Sequence, residues 1–284
     1  MFTLIFEQRL PANIPATVPV YAAMPPSSAS YVIQTIARAW LGGKPKLTHP
    51  LRRVQDWVSA EIGEMRLMCN RLSGAVQFNV QRKGRSALEE NVRFPVEMHR
   101  VVELAREFLG RSAFIDDKVG NMRLGNITHL REQYASMEYP VSRPAILDAG
   151  VMFTRVIDEI DVVGPGGKVM VKVLPDETIA GASRVYRRRG SLVETVRITP
   201  AADALAEFER RLRRDRGLNK PVRVLRAQFG YFEAGRSQRQ RFFEPVYAFV
   251  YTTDGPFPVK SAEVIAASRF AREAWGRDPR KRVS

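Results

Sequence analysis

The chain has 284 residues, enough for one large domain or two ordinary ones, and its 45% apolar content is sufficient for an ordinary hydrophobic core. Its 45 Lys and Arg residues exceed the 30 Asp and Glu residues and leave a net charge of +15, which favours a polyanionic partner such as nucleic acid or an anionic surface. The single cysteine excludes an intrachain disulfide and a cysteine-rich zinc module.

The first segment of the chain predicts two short strands followed by a helix. The strands are predicted at residues 2–6 and 18–22, with prolines between them. Ser27 or Ser28 can cap the helix, and the glycine pair at 42–43 can end it. The apolar face of this helix would consist of Ile33, Ile36, Ala37 and Trp40.

The first apolar run has five residues and ends at Glu7, which is too short for the core of a signal peptide or for a membrane span. No later segment approaches about eighteen consecutive apolar residues. As written, the sequence therefore predicts a soluble, cytoplasmic chain without a membrane span.

The next segment predicts a small sheet and a second helix. Residues 53–80 favour a three-stranded meander, because residues 65–69 alternate in polarity between turn signals, and a long amphipathic helix is the alternative. A polar loop is predicted at 84–95. Pro95 suits the first turn of a helix that runs to about Gly110. The apolar stripe of this helix would be Met98, Val101, Val102, Ala105, Phe108 and Leu109.

The remainder of the chain predicts several strands and one more helix. Thr199 and Pro200 suit the start of this third helix, and Gly217 suits its end. Leu205, Phe208 and Leu212 would form its apolar side. The strands are predicted near 122–135, 149–157, 178–187, 221–233 and 241–252, and the last two would pair across a polar loop.

The segment VIDEIDVVGPGGKVMVKV, residues 156–173, is compatible in composition with a phosphate-binding loop or with a hairpin. A phosphate loop requires a helix after the glycines, whereas residues 168–173 alternate valine with lysine and methionine, as a strand does. We therefore predict that residues 164–167 form a hairpin turn between antiparallel strands. The three acids before the glycines are predicted to occupy a turn and not to bind a metal, since no EF-hand spacing is present: Asp158, Glu159 and Asp161.

Three segments resemble PepSY-type proteins, which include propeptides of thermolysin-like peptidases and YycH/YycI-like regulators outside the bacterial membrane. Residues 155–188 are similar to their glycine-rich hairpin, residues 14–41 to their opening strand and helix, and residues 223–255 to a late hairpin. The resemblance implies proteins that bind peptides, peptidases or sensor kinases without catalysis in an extracytoplasmic compartment. The absence of an anchor in the sequence departs from that pattern, so the compartment stays open.

The expected fold class is α+β, built from tandem modules of a helix packed on an antiparallel β-sheet, as in PepSY and cystatin-like domains. Regular βαβ alternation is absent, which argues against a Rossmann or TIM-barrel core. The expected division is a helix-plus-meander module at 1–90, a second module with the GPGG hairpin at 91–190, and a helix with a long hairpin and a basic tail at 191–284.

No residue pattern predicts catalysis. The sequence has no G-x-S-x-G or Walker A motif, and neither His99 nor His129 belongs to an H-E-x-x-H zinc motif. Cys69 lies in an alternating apolar run, which indicates a buried position in the core. We therefore expect no catalytic residue, no metal and no cofactor.

Three basic clusters, at 184–190, 209–217 and 235–243, form the candidate binding surface, and Phe242 and Phe243 could stack on bases nearby. The alternative is that these arginines form only a solvated face. The candidate polyanion-binding residues are Arg184, Arg187, Arg188, Arg189, Arg210, Arg211, Arg213, Arg214, Arg239 and Arg241.

The expected function is that of a non-catalytic binding or regulatory module, which recruits a protein partner such as a peptidase or a sensor domain through the edges of its sheet. Two other classes stay open. One is an arginine-rich nucleic-acid-binding protein, and the other is a structural subunit that self-assembles through its sheet edges. The sequence identifies neither the partner nor the oligomeric state.

Overall fold

In the computed structural model, the described residues are 3–41, 50–80, 96–115, 121–132, 145–216, 221–253 and 259–270. They contain three α-helices and fifteen β-strands. The helices are Ala29–Leu41 (α1), Met98–Arg111 (α2) and Ala201–Arg216 (α3). None of these described helices is long and apolar enough to cross a membrane.

The strands within the described residues belong to one hydrogen-bonded sheet. In chain order they are Leu4–Phe6 (β1), Thr17–Ala23 (β2), Arg52–Val54 (β3), Trp57–Ile62 (β4), Met65–Asn70 (β5), Val76–Val80 (β6), Met122–Glu132 (β7), Ala145–Ile157 (β8), Ile160–Val163 (β9), Lys168–Val173 (β10), Ile179–Val185 (β11), Arg189–Arg197 (β12), Val222–Phe232 (β13), Phe242–Thr253 (β14) and Lys260–Ala266 (β15). The main path runs β12-β2-β14-β13-β9-β8-β10-β11-β6-β5-β4-β3. Strands β1, β7 and β15 pair with β13, β8 and β14 beside that path.

One part of the sheet, from β3 through β6 to β11, β10 and β8, is covered by α1 and α2. Neighbouring strands in this part are antiparallel. In β10, Val169, Val171 and Val173 are buried while the residues between them are half-buried, because alternate side chains of a strand point to opposite faces. Helices α1 and α2 share this core, in which the rings of Phe78 and Phe108 lie 5.7 Å apart.

The other part of the sheet contains β1, β2, β13, β14 and β15 and is covered by α3. Phe208 of α3 stacks on Phe249 of β14 with ring centroids 4.3 Å apart, and Tyr251 meets Phe208 edge-on. All three side chains are buried. This aromatic cluster holds α3 against the sheet, because such rings bury a large apolar area and add a favourable ring–ring contact.

Strand β9 joins the two parts of the sheet. It begins antiparallel to the end of β8, and its last residues, Val162 and Val163, pair in parallel with β13. A small third core fills the junction and consists of Ala23, Ile157, Val162, Tyr231 and Phe243. The junction is therefore a buried interior to which both parts contribute.

The expectation of tandem helix-on-sheet modules is wrong, because the strands form one large mixed sheet. Strand β6 pairs with β11, and β2 pairs with β12, so segments far apart in the sequence lie side by side. Helices α1 and α2 lie on one shared core. Hydrophobic alternation identifies a strand and its buried face but does not identify the strand that pairs with it.

The glycine-rich residues 164–167 do not form the predicted hairpin turn. In this continuously described segment, β9 and β10 each pair with β8 and not with each other. The hairpin turn lies earlier, at Asp158 and Glu159, whose φ values of 47° and 63° suit a two-residue type I′ turn. Residues 164–167 instead lie in a long bulge between β9 and β10. The residues of β8 that pair with β9 and those that pair with β10 are separated only by Arg155, so several residues oppose this one.

Several other predictions are confirmed. No helix follows the glycines, Asp158 and Glu159 lie at a turn, and all three helices are present, whereas Asp161, which was predicted in the same turn, lies in β9. The meander at 53–80 is confirmed in type but not in strand number, since it has four strands, from β3 to β6, where three were predicted. Strands β12 and β15 were not predicted, and β12 is mostly exposed, so it lacks the alternation of a half-buried strand. The predicted loop at 84–95 and the helix ends at 42–43 and Gly217 lie outside the described residues.

Gly166 brings the bulge close to the chain that follows β13. A Cβ atom at this position would lie 2.4 Å from the carbonyl oxygen of Ala234 and 2.7 Å from Cγ of Glu233. We expect Gly166→Ala to lower the free energy of unfolding by about 2 kcal/mol or more in urea denaturation, because the backbone must shift to relieve this overlap. Gly110→Ala in α2, where space is open, is the control and should be neutral or stabilising. Equal losses in the two variants would contradict the prediction.

Candidate functional site: an arginine-lined cleft

The first predicted basic cluster lies where the chain passes from β11 to β12, at the junction of the two parts of the sheet. Its members occupy different environments. Arg184 and Arg187 are only 5% and 4% exposed, whereas Arg188 and Arg189 are exposed. The cluster is therefore not one solvated basic surface, because two of its four candidate arginines belong to the interior.

The side chain of Arg187 is held by the connection between β13 and β14. Its Nη1 donates to the carbonyl of Ala234 at 2.8 Å, and its Nη2 donates to the carbonyls of Gly235, at 3.1 Å, and Gln238. The backbone N–H of Arg187 donates to Oε1 of Glu233 at 2.6 Å, and Nη1 lies 3.5 Å from the same oxygen. Arg187 and Glu233 thus form a buried ion pair with additional hydrogen bonds to the guanidinium.

Glu233 is fully buried next to the glycine-rich bulge. Its backbone N–H donates to the carbonyl of Val163, and its carbonyl accepts from the N–H of Gly166, each at 2.9 Å. Oε1 receives the contacts from Arg187, while Oε2 has no hydrogen-bond partner in the described part of the chain. Burial raises the pKa of Glu233 to about 7, against the opposing effect of the charges on Arg155 and Arg187.

A third buried charged side chain, Arg155 of β8, completes this group. It is 2% exposed, and its Nη1 donates to the carbonyl oxygen of Arg187. Its guanidinium lies 5.3 Å from the ring centroid of Tyr186 and 5.4 Å from that of Phe243, within range of cation–π attraction. We call Arg155, Arg187 and Glu233 the buried ion centre.

A cleft of about 290 Å³ opens beside the buried ion centre, between the start of α1 and the chain that leaves β11. Arg184, Arg187 and Arg188 line it, and no Asp or Glu is among its described lining residues. The other lining residues are mostly apolar, aromatic or hydroxyl-bearing and include Pro26, Ser27, Tyr31, Val32, Ile36 and Tyr186. We call this feature the arginine-lined cleft.

The three arginines of the cleft differ in what they can do. Nη1 of Arg184 donates to the carbonyl of Phe114 at 2.6 Å, and its guanidinium lies 5.4 Å from the ring centroid of Tyr186. Arg187 is held by the bonds described above. Arg188 is exposed and donates to the hydroxyl of Ser27 at 3.1 Å. Arg184 and Arg187 are therefore fixed in position, and Glu233 offsets part of the charge of Arg187, whereas Arg188 can reorient toward a ligand.

Helix α1 begins at the rim of the cleft. The hydroxyl of Ser28 accepts the backbone N–H of Tyr31 at 3.2 Å, which confirms one of the two predicted caps. The N-terminus of a helix carries a partial positive charge. The start of α1 therefore adds to the positive potential that the arginines produce.

The remaining candidate arginines lie outside the lining of the cleft. On α3, carboxylates of the same helix and of β15 contact the arginines in the pairs Arg210–Glu207, Arg211–Glu207, Arg211–Glu263 and Arg213–Glu209. Arg214, Arg239 and Arg241 are exposed. The structure therefore brings only one of the three predicted clusters to the cleft.

Arg189 faces the hairpin turn and not the cleft. Its Nη1 donates to Oδ1 of Asp158 at 2.6 Å, and its guanidinium lies 4.7 Å from the ring centroid of Tyr21. The hydroxyl of Tyr21 donates to the other oxygen of Asp158. Burial alone would raise the pKa of Asp158, but the hydrogen bonds from Tyr21 and Arg189 lower it below its ordinary value.

Residues considered for catalysis or metal binding have ordinary structural contacts. Asp161 accepts a hydrogen bond from Arg123 at 2.8 Å, and His99 lies 3.0 Å from Glu97. Within the described ranges, no group of three or more His, Cys, Asp or Glu residues could hold a metal ion. Cys69 is buried, as predicted, and burial raises its pKa to about 11.

Comparison with known proteins adds information on the fold alone. No protein family matches the sequence, and no curated protein matches it. A solved structure of an uncharacterized protein from Eubacterium rectale ATCC 33656 is similar, with a TM-score of 0.55 and 9% sequence identity. The similarity covers 93% of this chain and 89% of that one, so it supports the architecture over almost the whole length. The resemblance to PepSY-type proteins stays a prediction.

Two members of the buried ion centre were not predicted from the sequence. Arg155 had a signal, because it lies two residues from Phe153 and two from Ile157 and therefore shares their core-facing side of the strand. A charged residue at such a position indicates a buried ionic contact. Glu233 had no local signal, because its burial depends on the bulge at 164–167, which is distant in the sequence.

Proposed function

We propose that this protein is a non-catalytic binding protein that holds an acidic segment of a protein partner in the arginine-lined cleft. The observation that carries the proposal is the charge of the cleft, where three arginines and no described carboxylate line the wall. Positive charge in a concave, partly desolvated surface attracts anionic groups more strongly than the same charge in open water. A carboxylate can also form paired hydrogen bonds with a guanidinium such as that of Arg188.

The apolar part of the lining supports a peptide over a small inorganic anion. Tyr31, Val32 and Ile36 lie beside the arginines, and the side chain of Tyr31 is 63% exposed. Aromatic residues and arginine are enriched at protein interfaces, where they provide contact area as well as polar bonds. A volume of about 290 Å³ holds a few side chains, which suits a short segment better than a folded surface.

A nucleic-acid partner is the second candidate, and the placement of the charges favours it less. Nucleic-acid binding depends on basic side chains that neutralise several successive phosphates on an open surface. Two of the candidate arginines are buried, and three on α3 contact carboxylates. Arg188, Arg214, Arg239 and Arg241 are exposed, and phosphate contacts would have to begin at these residues.

The proposed function predicts an affinity for acidic peptide that depends on Arg188. The probe is a short N-acetylated peptide amide of alternating glutamate and phenylalanine, and isothermal titration calorimetry at low salt measures its affinity. We expect Arg188→Ser to weaken binding about tenfold or more, since a hydrogen bond to a charged group contributes about 1.5–3 kcal/mol. Arg213→Ser, at an exposed arginine of α3, is the control and should change the affinity by less than about threefold.

A glutamine peptide and a single-stranded oligonucleotide distinguish binding of an acidic segment from binding of an uncharged peptide and of nucleic acid. The same peptide with glutamine in place of glutamate should bind at least about tenfold more weakly, because it lacks the charges that the cleft attracts. Failure of the acidic peptide to bind would overturn the proposed function, and equal losses in the two arginine variants would exclude the cleft as the site. Tighter binding of a single-stranded oligonucleotide, with a steep dependence on salt, would favour the nucleic-acid alternative.

A further inference from the structure

Arg187 belongs both to the arginine-lined cleft and to the buried ion centre. It lines the cleft, while its partner Glu233 does not, and Nη1 lies 3.5 Å from Oε1 of Glu233. The fields of two opposite charges at this separation largely cancel at the distance of a ligand. The protonation state of Glu233 therefore decides how much positive charge of Arg187 acts in the cleft.

Few charged groups of the described residues face Glu233. Arg187 approaches from the connection between β11 and β12, and Arg155 approaches from β8. The bulge at 164–167 contacts Glu233 with its glycines and carries no titratable side chain. Glu244, on the neighbouring strand β14, is the other buried carboxylate of this region. The two arginines are thus the cations that set the charge balance at Glu233.

The contacts of the carboxyl group suit a proton on one of its oxygens. Oε1 accepts the backbone N–H of Arg187 at 2.6 Å, whereas Oε2 accepts no hydrogen bond from the described residues. A buried carboxylate with one unsatisfied oxygen is costly, and protonation of that oxygen removes the buried charge, which is the larger part of the cost. In agreement with this geometry, burial raises the pKa of Glu233 to about 7, so its charge changes near neutral pH.

We infer that binding of an acidic segment in the arginine-lined cleft is coupled to the uptake of one proton by Glu233. This inference rests on the proposed function and adds the regulation of the same site. The proton comes from solvent and forms an O–H bond at Oε2. Arg187 then loses its anionic partner Glu233, the wall of the cleft becomes more positive, and the acidic segment binds more tightly. By thermodynamic reciprocity, the bound segment raises the affinity of Glu233 for the proton.

The test compares the affinity of the glutamate–phenylalanine peptide at about pH 6 and about pH 8.5, a range in which its carboxylates stay charged. We expect binding to be at least about fivefold tighter at the lower pH. Glu233→Gln should show nearly the same affinity at both pH values, close to that of the wild type at low pH. Asp148→Asn removes a different buried carboxylate, which lies 3.7 Å from Lys172 outside the cleft lining, and should keep the pH dependence of the wild type.

A second measurement uses the unmodified protein and remains informative if Glu233→Gln does not fold. Titrations near pH 7 in buffers of different ionisation enthalpy give the number of protons taken up for each peptide bound, and we expect a fraction of one proton. Absence of proton uptake, or an unchanged pH dependence in folded Glu233→Gln, would overturn the coupling and leave the proposed function standing. Absence of peptide binding at both pH values would overturn the proposed function itself.

Discussion

Replacement of Arg187 by alanine should lower the free energy of unfolding by about 3–5 kcal/mol, as expected when one partner of a buried ion pair is removed. The variant would leave Glu233 without its ion-pair partner and would remove the donors to the carbonyls of Ala234 and Gly235. A buried polar group that loses its hydrogen bond costs about 1–3 kcal/mol, so the losses have the same sign. Urea denaturation followed by tryptophan fluorescence measures the effect.

Arg188→Ala is the matched control for this prediction. Arg188 is the next residue in the chain and carries the same charge, but it is exposed. Its replacement should change the free energy of unfolding by no more than about 0.5 kcal/mol. A loss below about 1 kcal/mol in Arg187→Ala would contradict the prediction. It would mean that other contacts, such as those of Gln240 with the backbone of Phe232 and Ala234, hold the connection between β13 and β14 by themselves.

The helices could be predicted from the sequence because each carries its own complete signal. In α3, Phe208 and Leu212 recur one turn apart, and both are buried in the structure. In α1, the hydroxyl of Ser28 satisfies a backbone N–H of the first turn, which is a contact between near neighbours. Such signals need no information about the rest of the chain, so they can be interpreted locally.

The arrangement of the sheet could not be predicted in the same way. Strand β9 has only four residues, yet it joins the two parts of the sheet by pairing in parallel with β13. The residues of β9 do not specify that partner, because any strand with a matching buried face would satisfy the same alternation. The glycines at 164–167 were similarly ambiguous, since glycine suits both a hairpin turn and a bulge where another segment approaches closely.

The candidate site was predictable in its charge but not in its geometry. The sequence predicts an attraction for anions from residues 184–189, but it does not show which of these arginines are buried. Arg187 is buried because Glu233, 46 residues later in the chain, accepts its N–H and neutralises its side chain. A buried charge is tolerated where a partner and hydrogen bonds are present, and those come from a different part of the sheet.

The contribution of Glu233 to the free energy of unfolding should fall by about 3 kcal/mol as the pH rises from about 4.5 to about 7. In the folded protein, burial raises the pKa of Glu233 to about 7, whereas the unfolded chain releases the same proton near 4.5. Between these values the folded state binds more protons than the unfolded state, so a higher pH favours unfolding. Below this window both states are protonated and the contribution is fully present, and above it the loss is complete.

Comparison with Glu233→Gln isolates this group, because the two proteins differ at no other residue. Urea denaturation at several pH values should show the two free energies of unfolding diverging by about 3 kcal/mol between about pH 4.5 and about pH 7, with the wild type losing stability. The variant amide resembles the protonated carboxyl, so it should not lose this contribution. A difference that stays constant with pH would contradict the prediction. Glu233 would then be ionised throughout, held by Arg155 and Arg187, and the buried ion centre would be a fixed ion pair that takes up no proton.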